Sequence, residues 1–326
     1  MSTATYVPET HELEGDDALQ TLRQTGWGRL AKDSLRRFRA ADGFSHARAL
    51  AYQVMLTLVP ALIGTVGLAT ALGAGKVRQI VHDTVTRLAP GPAGDIVTQA
   101  FRQGARSGSG GASAALLFGL IAALASATFA MGQIERGANR IYGIEQDRPT
   151  AHKYGNAFLL AISAGVLSVL ALVLVVAGSD IAKGAGLSGV LGGLWAVLRW
   201  PLSIALAVGA FALLFRAAPR RHQPAPSWLA VGSGMAVALW FVFTGLLALY
   251  LSVAGSNLGR TYGPLTGLMA ILVWTFLTSL ALYLGLAFAA QLEAVRAGAP
   301  GPTSAPQAGG TAALRDELRR HTRTLR

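Results

Sequence analysis

Five stretches of this chain, 107–134, 154–179, 200–215, 222–259 and 261–292, contain no Asp, Glu, Lys or Arg, and a sixth begins after Arg48. A hydrocarbon core about 30 Å thick takes roughly 20 apolar residues of helix, and lipid offers the backbone no hydrogen-bond partners of its own. The pattern therefore predicts six membrane spans, at 47–72, 112–132, 156–178, 195–215, 228–250 and 268–290. The fourth is the least regular, because Arg199 and Pro201 sit near its start. Composition agrees: 13% of residues are charged, against about a quarter in soluble domains. The expected fold is all-α and polytopic.

An even number of spans puts both termini on one side. With the termini in the cytoplasm, 20 of the 28 basic residues fall inside, and five of the other eight lie in one long outer loop, 73–111. Short loops carry the orientation signal and long ones obey it loosely, so a cytoplasmic location of both ends is the expectation. The same rule explains the net charge of +12 without a nucleic-acid partner, and none is expected. The first 45 residues are polar and the first apolar run is too long for the core of a cleavable leader. The absence of cysteine excludes disulfides.

The chain divides into an acidic tail, 1–26, expected to be disordered, a membrane domain, 27–295, and a Pro/Gly-rich linker with a basic tail, 296–326. Residues 27–39 have an amphipathic pattern. Trp27, Leu30, Ala31, Leu35 and Phe38 form one arc, and Arg29, Lys32, Arg36 and Arg39 form the other. Such a helix suits a membrane interface with its bases near anionic head groups. Two further short amphipathic helices, joined at a Pro-Gly-Pro turn, are expected within 73–111.

Candidate functional residues gather around "RALAYQVMLTLVP", residues 48–60. Gln53, Thr57, Pro60, Gly64, Gly67 and Ala71 follow at helical steps of three and four and make a small, polar stripe along span 1. Small residues let helices approach, and an amide in hydrocarbon needs a partner. Pro60 frees the carbonyl of Leu56. The stripe should face the bundle interior, with Arg48 and Tyr52 at its cytoplasmic mouth. Asn139 and Arg140, at the cytoplasmic exit of span 2, would share that vestibule, and Arg260 and Tyr262, in a Gly- and Pro-broken loop before span 6, would stand at the outer mouth.

No acid falls within a span, so a buried carboxylate relay is not written here. The six histidines show no HxH or HExxH spacing and there is no phosphate-binding glycine loop. No catalytic residue, metal site or cofactor is expected.

Four segments, "GFSHARALAYQVMLTLVPAL", "GQIERGANRIYGIEQDRP", "PSWLAVGSGMAVALWFVFTGLLALY" and "YGPLTGLMAILVWTFLTSLALYLG", together resemble the YihY/BrkB family of bacterial inner-membrane proteins, over residues 30–295. The resemblance implies six helices and cytoplasmic termini in a bacterial inner membrane. The family has carried conflicting labels: a virulence or serum-resistance factor, a transfer-RNA-processing ribonuclease, a transporter of lipids or lipid-linked precursors. Similar members often have Gly-Ala-Glu where this chain reads Gly285, Leu286, Ala287, so a mechanism needing that Glu does not carry over. Glu293, two turns on, is a poor substitute for it by position. The leading expectation is a non-enzymatic transporter of an amphiphilic envelope component, with membrane lipids and their anionic head groups as partners. The alternatives are a non-transporting scaffold that binds lipids or partners through its basic ends, and a membrane-associated ribonuclease.

Overall fold

Long uncharged runs fold as long helices, because only a helix satisfies every backbone group within its own segment in lipid. The computed structural model describes residues 4–10, 12–71, 109–184, 186, 188–262, 265–299 and 301–303. Eight helices lie within them: α1 (Gly15–Thr25), α2 (Trp27–Ala40), α3 (Gly43–Ala71), α4 (Ser109–Ile141), α5 (Thr150–Gly184), α6 (Gly189–Ala217), α7 (Pro226–Tyr262) and α8 (Leu265–Arg296). Among the described residues α4 to α8 are each long and apolar enough to cross a membrane. α3 is 29 residues long and uncharged from Ala49 to Ala71, which gives it the length for a sixth crossing.

Each expected span lies within one of these helices, apart from residue 72, and the helices are longer than the spans. At 1.5 Å per residue a 33-residue helix such as α4 is about 50 Å long, so its last turns project beyond the hydrocarbon. The six long helices touch in a closed circuit: each packs on its chain neighbour, and α8 returns to α3. α1 and α2 lie across one end of this circuit, against α7 and α8. The N- and C-terminal segments meet at that end, where Ala4 and Thr303 form an antiparallel bridge and Thr5 N donates to Pro302 O at 3.3 Å. Both ends of the membrane domain therefore share a side, here called the terminal face.

α8 is the centre of the packing. It is buried almost continuously from Ser279 to Ala294, and small residues make this possible. Gly232 and Ala236 on α7 interlock with Gly285 and Ala289 on α8. A Cβ on Gly232 would lie 2.5 Å from the Ala289 Cβ, and one on Gly285 would lie 2.5 Å from the Ala236 Cβ and 2.8 Å from its Cα. This is the small-xxx-small packing by which membrane helices bring their backbones together.

Three expectations need correction. The acidic tail is not disordered over its described part. Residues 4–10 run as an extended strap over the terminal face, and α1 follows with Ala18, Thr21 and Leu22 buried. Its acids suit the helix start: Asp16 and Asp17 sit in the first turn, and Asp17 Oδ2 accepts the Glu14 N–H at 3.3 Å. α2 forms as expected, but it turns Leu30, Ser34, Arg37 and Phe38 inward and leaves Trp27 and Leu35 exposed. The segment before span 6 is not a broken loop up to Tyr262. Gly259 is accommodated and α7 stays helical through Arg260 and Tyr262. The pair of helices expected within 73–111 falls, up to residue 108, outside the described residues, as do the basic tail from 304 and the side chains of Gly64, Gly67 and Ala71.

Candidate functional site

The residues picked out by sequence separate into three places. Arg48 and Tyr52 lie one turn apart on an exposed flank of α3. Arg48 Nη2 donates to Ser45 Oγ at 3.1 Å, and Tyr52 is 61% exposed. Beside them the stripe is half-buried against α4: Gln53 Nε2 reaches the Ser126 carbonyl at 3.4 Å, and Thr57 Oγ1 donates back to Gln53 O at 2.9 Å. Pro60 continues the same half-buried line inside α3. The stripe therefore makes a helix contact, and its hydroxyl satisfies its own backbone. Arg260 and Tyr262 occupy the far end of α7, both exposed, where Thr266 Oγ1 closes the α7–α8 hairpin on Leu258 O at 2.9 Å.

Asn139 and Arg140 were expected to share a vestibule with Arg48. Asn139 is instead fully buried and brackets two loops. Its Nδ2 donates to Asp147 Oδ1 at 2.9 Å, and its Oδ1 accepts the Arg220 N–H at 2.7 Å. Arg140 is half-buried on the last turn of α4.

Around Asn139 a polar lattice ties α4, α5 and α6 together. Glu135, 1% exposed, pairs with Arg148 at 3.1 Å across the α4–α5 loop. The α6 C-terminus leaves carbonyls without intrahelical partners, and Arg148 donates to the carbonyls there: Ala217 O at 3.3 Å and, just past the helix, Ala218 O at 2.7 Å and Pro219 O at 2.8 Å. A cation at a helix C-terminus also meets the negative end of its dipole. Asn156 adds a bond to Ala217 O at 3.0 Å. Asp147 collects Lys153 at 2.7 Å and Arg136 at 3.7 Å. Burial alone would raise the Asp147 pKa, but hydrogen bonds from Lys153 and Asn139 and the Lys153 and Arg136 charges outweigh it and hold the carboxyl below its usual range.

A second buried cluster lies under the strap, and sequence reasoning missed it. Glu293 is wholly buried and pairs with Arg221 Nη2 at 2.7 Å; Thr10 Oγ1 donates to the same carboxylate oxygen at 2.5 Å. The Arg221 guanidinium stacks over the Tyr142 ring, 4.6 Å from its centroid. Arg37, also wholly buried, donates through Nε to Gln291 Oε1 at 2.8 Å and through Nη1 to Thr5 O at 2.8 Å and Ile141 O at 3.2 Å. Burial brings the Arg37 pKa down to about 10, so the guanidinium remains charged at neutral pH. Burial pushes the Tyr142 phenol up, so it remains neutral. The available signal was Arg37 itself, a charge three residues from Ser34 and seven from Leu30 on the inward arc of α2.

Fold and site thus define an all-α, multi-pass integral membrane protein with a polar-locked terminal face. The chain belongs to the virulence factor BrkB family, whose model matches residues 34–309. It is 28% identical over 258 residues to YfkH of Bacillus subtilis, a protein described as ribonuclease-like, covering 78% of this chain and 91% of that one. It is 27% identical to UPF0761 membrane proteins of Alkalilimnicola ehrlichii and Chromohalobacter salexigens, over 82% and 81% of this chain. It spans only 60% and 63% of the length of those two relatives. No solved structure matches.

Proposed function

We propose that this protein translocates amphiphiles with anionic head groups across a bacterial inner membrane, with its terminal face in the cytoplasm. The observation that carries the reading is the placement of Arg48 and Tyr52. Both project, exposed, beside the half-buried line of Gln53, Thr57 and Pro60, and Arg260 and Tyr262 are also exposed at the opposite end of the bundle, on different faces of α7. An arginine next to a tyrosine at a membrane boundary offers charge to a phosphate while the ring rests at head-group depth. The acyl chains would stay in lipid outside the helices.

α2 supports the same reading. Trp27 and Leu35 are exposed beside Arg29, Lys32, Arg36 and Arg39, a surface suited to lying in an anionic leaflet. The ribonuclease-like description is that of YfkH, and the reading assigns this chain no catalytic residue.

One observation favours a second reading, a scaffold that binds anionic lipid without moving it. The terminal face is locked by buried ion pairs, Arg221 with Glu293 and Arg148 with Glu135, which suits a fixed platform. Both readings require selective binding of anionic lipid. Native mass spectrometry of protein released from mixed phosphatidylglycerol and phosphatidylcholine membranes tests it. Retained phosphatidylglycerol, reduced in Arg48→Gln, is expected. Equal retention of the two lipids, unchanged by that substitution, would overturn both readings.

A further inference from the structure

Two arginines distant in sequence, Arg37 on α2 and Arg221 between α6 and α7, converge on one buried place beneath the N-terminal strap. They lie close enough for their charges to repel, and Glu293 lies within reach of both. Two guanidiniums against one carboxylate leave the place with an excess positive charge.

The strap meets the two guanidiniums themselves with neutral backbone oxygens, while its one carboxylate, the exposed Glu9, accepts the His222 N–H at 3.2 Å. Thr5 O accepts from Arg37 Nη1 at 2.8 Å, Val7 O from Arg221 Nη1 at 3.1 Å and Pro8 O from Arg221 Nη2 at 3.0 Å. The fit is incomplete: Arg37 Nη2 and Glu293 Oε2 are buried without a hydrogen-bond partner. Guanidinium donors bind ionised oxygens more strongly than carbonyl oxygens, and pairs of them suit phosphate.

Few apolar contacts hold the strap, and its other ties are polar: besides the Arg37 and Arg221 bonds, Thr10 Oγ1 donates to Glu293, Thr5 Oγ1 and N donate to Gly301 O and Pro302 O, and Glu9 Oε1 accepts the His222 N–H. Its wholly buried apolar side chain is Val7, and Tyr6 is half-exposed. One backbone bond, Val7 N to Tyr142 O at 3.1 Å, ties its middle to the bundle. Gly143, at φ +75°, allows the strap to pass so close that a Cβ there would stand 2.7 Å from the Tyr6 backbone. Segments with few buried apolar contacts open at low cost.

We propose that residues 4–10 are a displaceable plug over an oxyanion site formed by Arg37 and Arg221, whose ligand is a phosphate group that takes the positions of the Thr5, Val7 and Pro8 carbonyl oxygens. A lipid head group and a soluble phosphate share this chemistry, and the site does not depend on the transport reading. Phosphate binding and strap opening are then linked.

Hydrogen exchange of strap peptides tests the linkage on the full-length protein in nanodiscs. Three conditions are compared at equal ionic strength: phosphatidylcholine discs in chloride, the same discs in inorganic phosphate, and phosphatidylglycerol-containing discs in chloride. A ligand that binds only the open form speeds exchange by one plus its concentration over Kd, so phosphate at ten times Kd gives about tenfold. Acceleration in inorganic phosphate identifies a soluble ligand; acceleration in phosphatidylglycerol discs alone identifies a head group. The double variant V7G/T10A loosens the strap without touching either arginine. It should bind phosphate more tightly, by the factor by which its strap exchange rises, and adding R37Q should remove that gain. Strap exchange that is the same in all three conditions, in both wild type and V7G/T10A, would overturn the proposal.

Discussion

Glu293 shows how one residue's role depends on partners that its position in the chain does not reveal. Three residues past the last expected span it reads as a membrane-exit acid, yet it is wholly buried and shares one carboxylate oxygen between Arg221 and Thr10. Removing one member of a buried pair leaves the other charge uncompensated, at a cost of roughly 3–5 kcal/mol. Glu293→Ala should therefore lower stability by about that amount in detergent, read by thermal unfolding, and Glu293→Gln, which keeps the shape and a hydrogen-bond acceptor, should cost less. Equal melting of wild type and Glu293→Ala would mean that the pair contributes nothing. Asp147 gives a pH signature. A carboxyl held low in the folded state contributes stability that is fully present above its unfolded pKa, about 4, and is lost as pH falls through the folded value. Asp147→Asn should therefore melt with a shallower acid dependence than wild type below about pH 4. Parallel acid limbs would contradict the network drawn around Asp147.

At the scale of elements, the α7–α8 contact is the most exacting. Gly285 meets the backbone as well as the side chain of Ala236, so even one methyl has nowhere to go, and overpacking typically costs 1–3 kcal/mol. Gly285→Ala should lower the melting temperature measurably and Gly285→Leu should prevent a stable bundle, as read by size-exclusion profile. A Leu variant that elutes and melts like wild type would contradict the interlock.

The long helices were legible in the sequence because uncharged length alone decides them. Their ends were not: α7 continues through Gly259 to Tyr262 because its hairpin supplies bonds that the sequence does not display. The acidic N-terminus was misread for a related reason. Taken alone, residues 1–26 bury too little to fold, but the bundle presents Arg37 and Arg221 for its carbonyls to cap. In the candidate site, helical spacing picked out Gln53, Thr57 and Pro60, which lie on one half-buried line of α3, and Arg48 and Tyr52, which lie one turn apart on its exposed flank. It could not find Glu135–Arg148 or Arg221–Glu293, whose partners come from different elements. Asn139, placed by spacing at a mouth, proved to be an internal bracket.

For the whole molecule, the closed circuit of six helices and the Ala4–Thr303 bridge place both ends of the membrane domain together, and every other assignment depends on that arrangement. The chain has no cysteine, so single cysteines report cleanly. In intact cells Tyr262→Cys should react with an impermeant maleimide, and Gln146→Cys, on the exposed α4–α5 loop, should react only after permeabilisation. Reaction of both in intact cells would break the six-crossing arrangement. Movement of lipid is the claim that separates a translocator from a fixed platform, and it is measured most directly in proteoliposomes. Fluorescent phosphatidylglycerol in the inner leaflet should become accessible to external dithionite faster than in protein-free vesicles. Fluorescent phosphatidylcholine should not, and Arg48→Gln should slow the phosphatidylglycerol signal. Phosphatidylglycerol moving no faster with the wild-type protein than without it would contradict translocation.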